Sequence, residues 1–268
     1  MTNETLQRYD LGFCVTAFST TRRGGVSEGA YASFNVNANC GDLPEHIATN
    51  RLQLCKHLGI APDHLIIPHQ THQTNVRVVD EGFFHLSEEQ RQASLEGIDA
   101  VLTSVPQTCI GVSTADCIPI LLYDARLHVA AAVHAGWRGT AARIAQVAVA
   151  AMQDVFSSRP EELRAVIGPG IGPDSFEVGD EVWQAFADAG FPMSQISRRY
   201  PPMRGDGPDK WHIDLWTCNS QQLTEAGLSP SSIHLAAIDT WKRSEMFFSA
   251  RRLGIHSGRI YTGIVLRP

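Results

Sequence analysis

A chain of 268 residues with 43% hydrophobic and 19% charged residues has an ordinary globular composition. It is long enough to bury a large core, as one α/β domain or two small ones. The net charge of −6 argues against phosphate-backbone binding, so nucleic acid is not an expected partner, although an arginine pocket can still hold a small anion.

No apolar run reaches membrane-spanning length, and MTNETLQRYDLGF shows no basic-then-apolar leader pattern. Six scattered cysteines without a C-x-x-C pair read as reduced thiols, so the expected setting is cytoplasmic, with no membrane partner. CVTAFST (14–20) reads as a strand entering a Gly-Gly turn, followed by an extended polar segment and a helix from about Glu45 to His57. LIIPHQ and NVRVVD read as strands on either side of PHQTHQT (68–74), and QRQASLEG as a loop or short helix. The runs DAVLTS, TCIGVST, CIPILLYD and HVAAAVHAG are rich in small and β-branched apolar residues and bounded by turn residues, the pattern of buried strands.

TAARIAQVAVAAMQDVF (140–156) predicts one long buried helix, with Thr140 capping its start. LRAVIGPGIG reads as a strand ending in a rigid loop, and DEVWQAFADAG as an amphipathic helix closed by Gly190. Residues 198–212 read as a flexible flap, DLWTCNSQQLTEAGL as a helix, and IHLAAIDT and RIYTGIVL as strands. Strands and helices mix without strict βαβ alternation, which predicts an α/β layered sandwich with mixed β-sheets.

The chemistry concentrates in PHQTHQT, TADCIP (114–119) and AVHAGWRGT (132–140). His72, Cys117 and His134 supply two imidazoles and a thiolate, a set that suits zinc or copper and leaves a coordination position open. His69 is the rival ligand to His72. Taken one at a time, a buried cysteine or histidine is more often structural. In HAGWRGT, turn amides opening a helix, together with Arg138, could form an anion site beside the metal; a tight turn with a surface arginine is equally consistent. GPGIGP (168–173) matches neither the dinucleotide nor the P-loop fingerprint. Arg22/Arg23 and Arg251/Arg252 read as solvated surface or as a wall of an anionic pocket. No G-x-S-x-G elbow is present, whereas Cys117 with His134 and Asp116 could serve a cysteine hydrolase as nucleophile, base and orienter.

With TTRRGGVS, SFNVN, NR (50–51), QTH (70–72), DAVLT, TADCIPILL, VHAGWRGT, IGPGIGPDSFEVGDEV and FFSARR in view, the chain resembles the YfiH/laccase-domain family over nearly its whole length. Members of that family are also described as purine nucleoside phosphorylases or peptidoglycan editing factors. Two motifs depart from it. Gln70-Thr71-His72-Gln73 stands where Q-V-H-G is frequent, and Asp239-Thr240 where a Cys-Thr pair is frequent. The resemblance implies a single YfiH-like domain over residues 1–268 and a metal, usually zinc, on His72, Cys117 and His134. It also implies phosphorolysis of adenosine, inosine or methylthioadenosine to base and ribose 1-phosphate, with adenosine deaminase activity. The partners would then be a purine nucleoside and phosphate.

Within that reading Arg138 orients the anion, Asp116 and Gln70 are candidate proton donors by proximity, and Asn35 and Arg51 line the substrate pocket. The alternatives are a copper-dependent polyphenol oxidase of laccase type acting on phenolic substrates, an editing hydrolase of cell-wall precursors, and a noncatalytic binding protein. A multicopper oxidase needs many histidines, commonly in H-x-H pairs. This chain has 11 histidines and no such pair, which favours redox-inert zinc as a Lewis acid.

Overall fold

The computed structural model describes residues 5–268; the first four, where the segment read for a leader begins, lie outside the described residues. Fourteen strands are formed: β1 (Leu6–Tyr9), β2 (Val15–Thr20), β3 (Leu65–Ile66), β4 (Val76–Val79), β5 (Ala100–Thr103), β6 (Cys109–Thr114), β7 (Ile118–Asp124), β8 (Val129–Ala135), β9 (Leu163–Ile167), β10 (Glu177–Val178), β11 (Ser197–Tyr200), β12 (Lys210–Ile213), β13 (Ile233–Leu235) and β14 (Ile260–Leu266). The α-helices are α1 (Pro44–Leu58), α2 (Glu81–Phe84), α3 (Glu88–Ser94), α4 (Trp137–Ala141), α5 (Ile144–Phe156), α6 (Asp180–Asp188), α7 (Met193–Ile196), α8 (Leu215–Glu225) and α9 (Ala250–Leu253).

The strands make three sheets, ordered β1-β2-β14-β6-β3, β13-β9-β7-β8-β5-β4 and β10-β12-β11. The first two are mixed: β3 runs parallel to β6, β4 to β5 and β13 to β9, while the central pairings are antiparallel. Ala17, Ile110, Val112 and Ile264 of the five-stranded sheet face Val101, Leu121, Ala132 and Val166 of the six-stranded sheet. The far side of the six-stranded sheet carries Leu102, Ile120 and Val133 against α5, α6 and α8. Both faces are therefore covered, which is why β5 to β8 read as continuous apolar runs rather than alternating ones. Phe18, Tyr261 and Val265 on the outer face of the five-stranded sheet pack on Leu54 and Leu58 of α1. The result is the expected α/β layered sandwich with mixed sheets.

Three sequence expectations change. Residues 140–156 are not one helix: Arg143 adopts a left-handed conformation (φ 61°), so α4 ends and α5 begins around it. Thr140 consequently lies inside α4, where its hydroxyl donates to the Ala135 carbonyl instead of capping a helix. Residues 198–212 contain more strand than flap, since Ser197–Tyr200 pairs antiparallel with Lys210–Ile213 and leaves only 201–209 as connection. The helix expected over Glu45–His57 is α1, with Leu52 pointing outward and Asn50, Leu54 and Cys55 on the buried side. All six cysteines are unbridged, as the sequence suggested.

Gly111 shows how tightly β6 meets β14. A Cβ there would lie 2.4 Å from Tyr261 Cζ and 2.7 Å from the Thr262 carbonyl oxygen. Tyr261 cannot retreat, because it is fully buried and its hydroxyl donates to the Ile66 carbonyl at 2.7 Å. Gly111→Ala should therefore destabilise the protein by about 1–3 kcal/mol. Urea denaturation checks this, and an unchanged midpoint would contradict the packing described.

Candidate metal centre

The β7–β8 pairing sets Pro119 opposite His134, which brings Cys117, one residue before β7, beside the end of β8. His72 arrives from the loop between β3 and β4 in a left-handed conformation (φ 63°). The three ligand atoms all lie within 4.8 Å of one another, and this is the single such His/Cys/Asp/Glu group among the described residues. Cys117 Sγ is 3.8 Å from His72 Nε2, and the two imidazole rings meet edge to face at 4.9 Å. His134 is buried, Cys117 half-buried and His72 exposed, so the set opens to solvent on the His72 side. Gly136 permits the approach: a Cβ there would fall 2.8 Å from His72 Cδ2 and 3.1 Å from Cys117 Sγ.

Asp99 organises this geometry. Its carboxylate is fully buried; Oδ1 accepts from His134 Nδ1 at 2.7 Å and from the His72 amide at 3.0 Å. Oδ2 accepts the amides of Gln73 at 2.8 Å and Thr71 at 3.3 Å. One carboxylate thus fixes the ring of one ligand and the backbone of another. Its contact with Nδ1 leaves Nε2 of His134 as the nitrogen available to a metal, the usual device for holding a metal-binding histidine. Burial pushes the Asp99 carboxyl up, but His134 and the amides outweigh it and hold it below the usual range.

For Cys117, burial raises the thiol, yet the His134 charge and hydrogen bonds from His134 and His72 bring it down to about 6. For His134, burial lowers the imidazole, but the Cys117 charge and Asp99 raise it to about 9. Two nitrogens and a thiolate-prone sulfur, oriented by a carboxylate and open on one side, fit a zinc or copper ion.

The set lines a cleft of about 660 Å³ with Trp137, Ser113, Asn37, Arg251 and Arg259. Asp116 and Gln70 also line it, but both are engaged. Asp116 accepts from Thr240 Oγ1 and from the Arg251 amide, both at 2.7 Å, while the Gln70 carboxamide pairs with Ser113 N and O at 2.8 Å each, like an added rung of β6. Arg138 does not line the cleft; it is exposed and lies on the Trp137 ring with its guanidinium carbon 4.2 Å from the ring centre. α4 is only five residues long and offers no helix-terminus anion site, so the anion reading of HAGWRGT loses its basis.

Asn35 is fully buried and reaches the cleft through others, accepting the Arg259 and Asn37 amides on Oδ1. Arg51 lines a neighbouring groove, its Nε donating to the Val36 carbonyl. His69, the rival ligand, stays out of the metal set and pairs with Glu96. Asp99, Trp137 and Arg259 were not singled out from sequence. Asp99 had one local signal, an acidic residue at the mouth of an otherwise apolar strand.

The chain belongs to the family described as multi-copper polyphenol oxidoreductase laccase, which matches residues 16–267. Among its relatives, the purine nucleoside phosphorylase of Bacteroides thetaiotaomicron is 44% identical over 252 residues, covering 94% of this chain and 92% of that one. Adenosine deaminase RL5, from an unknown prokaryotic organism, is 42% identical and covers 93% of each chain. The crystal structure of the Bacillus licheniformis hypothetical protein YfiH superposes with a TM-score of 0.85 at 29% identity, covering 94% of this chain and 93% of that one.

Asp99→Asn keeps the shape but weakens the acceptor, and should lower zinc affinity about 10–100-fold. Competition with a chromogenic chelator measures it; wild-type affinity in the variant would remove Asp99 from this role.

Proposed function

We propose that the protein is a zinc-dependent purine nucleoside phosphorylase of the cytoplasm, with adenosine deamination as a second activity of the same cleft. The observation that carries the reading is a three-donor set opening into a cleft that two arginines, Arg251 and Arg259, also line. Neither forms an ion pair with a carboxylate among the described residues. Arg259 is fixed by donating to the Ile255, Ser257 and Gly258 carbonyls, so both charges are held in place without a carboxylate to neutralise them and would attract an inorganic anion, the part the sequence suggested for Arg138. Arg251 is aimed by its own contacts: its Nη1 donates to the Glu177 carbonyl at 2.8 Å, and its guanidinium stands over Phe176.

Zinc, held by His72, Cys117 and His134, would supply Lewis-acid polarisation at the open side of the set. The chain's own residues divide the remaining work. Trp137, backed by Arg138, offers an aromatic surface for a purine. Ser113 and Thr114 form part of the cleft wall, their hydroxyls buried without a hydrogen-bond partner among the described residues. Asn37 is fixed by the Asn39 amide on its Oδ1, leaving its Nδ2 as a donor at the same wall. Arg251 and Arg259 would place phosphate for attack on C1′ of the ribose.

Names among the relatives favour this pairing of activities, since one is called a purine nucleoside phosphorylase and another an adenosine deaminase. The laccase description of the family favours a copper phenol oxidase as second reading. Against it, a four-copper route to water needs further ligand clusters, and the described residues contain one.

Incubating zinc-loaded protein with inosine should release hypoxanthine and ribose 1-phosphate only when phosphate is present. Arg251→Ala should raise KM for phosphate roughly tenfold or more, the loss of one charge-assisted contact of about 1.5–3 kcal/mol. Absence of phosphate-dependent turnover, with phenol oxidation in its place, would overturn the reading.

A further inference from the structure

Asp116 and Gln70 have their hydrogen-bonding atoms committed to the protein, and arginine does not give up its proton near neutrality. Among the groups lining the cleft outside the metal set, His69 is the one imidazole, a side chain that can both take up and give a proton. It is held in an unusual way for an exposed side chain. Its amide donates to the Leu95 carbonyl at 3.0 Å, and residues 69 and 96 form an isolated parallel bridge, so the backbone itself sets the two side chains together. His69 Nδ1 then meets Glu96 Oε1 at 2.7 Å. Nε2 has no protein partner among the described residues.

His69 lines both the metal cleft and the neighbouring groove of about 780 Å³, whereas Glu96 lines only the groove. The pair therefore stands in the partition between the two. An isolated surface pair of this kind adds little stability, so fold maintenance is a poor reason for it. The ring lines the cleft with one nitrogen held by a carboxylate and the other unpartnered, and a carboxylate on one ring nitrogen is how an imidazole is oriented for proton transfer.

We propose that His69, positioned by Glu96, is the general acid that protonates the departing purine, an inference that rests on the phosphorylase reading above. As the C1′–N9 bond breaks, its electron pair passes to the purine ring, and His69 Nε2 gives a proton to N7, so the base leaves neutral. A phosphate oxygen forms the new bond to C1′. The proton that hydrogen phosphate sheds in becoming the sugar phosphate restores the imidazolium through solvent in the groove.

The test compares inosine with 7-methylguanosine, whose base already carries a positive charge and leaves without a proton. Zinc-loaded wild type, His69→Gln and Glu96→Gln are assayed with phosphate, after metal content and circular dichroism confirm that each is folded and loaded. His69→Gln should lose about 100-fold or more in kcat on inosine and less than about 3-fold on 7-methylguanosine. Glu96→Gln should move the same ratio in the same direction, by roughly tenfold. Equal losses on both nucleosides, or none on inosine, would overturn the role of His69 while leaving the phosphorylase reading intact. Wild type that turns over neither nucleoside overturns both.

Discussion

The Asp99 carboxylate is the contact on which the centre depends. Removing a carboxylate from water is costly unless hydrogen bonds replace its hydration. Here an imidazole and three backbone amides do so. The three amides belong to consecutive residues, 71 to 73, which wraps the loop around one end of Asp99 and holds His72 in the left-handed conformation a histidine otherwise avoids. The strain in the loop and the burial of the charge are solved by the same set of bonds. His134 and His72 are consequently not independent: displacing Asp99 loosens both at once.

Much of the fold was legible, for reasons the structure makes plain. Strands covered on both faces leave a dense apolar signature, so β5 to β8 stood out in the sequence. The break between α4 and α5 left no such mark, because Arg143 carries no helix-breaking chemistry; its left-handed turn accompanies an ion pair to Glu225 and stacking on Phe191 from elsewhere in the fold. The hairpin β11–β12 was hidden for a similar reason. Its prolines and glycines all lie in the connection and dominate the composition of the segment, while the pairing residues are few.

At the site, His72, Cys117 and His134 could be chosen from sequence because thiol and imidazole have few alternatives as soft metal donors. The arginines of the cleft were harder. Arg138 is next to a ligand in the chain, but adjacency in sequence turned its side chain onto Trp137 and out of the cleft. Arg251 and Arg259 come from well over a hundred residues downstream of Cys117, and nothing in their local pattern points to TADC. From sequence, Arg251 reads as half of a basic pair that is either solvated surface or the wall of an anionic pocket, with no sign of which pocket. The structure connects it through the Asp116 carboxylate, which accepts its amide and so bridges the arginine to the residue beside Cys117.

The order of strands in the five-stranded sheet bears on how the protein is made. β14 follows every other described strand, yet it lies between β2 and β6 at the middle of the sheet. A ribosome-bound chain that has emerged only as far as residue 258 holds β2 and β6 as two unpaired edges, with Ser113 and Thr114 at the end of one of them. Exposed edges of this kind invite pairing with other chains. The sheet that carries Ser113 and Thr114 is closed only when 260–266 slides between β2 and β6, so a growing chain holds His72, Cys117 and His134 before the layer behind their cleft is complete.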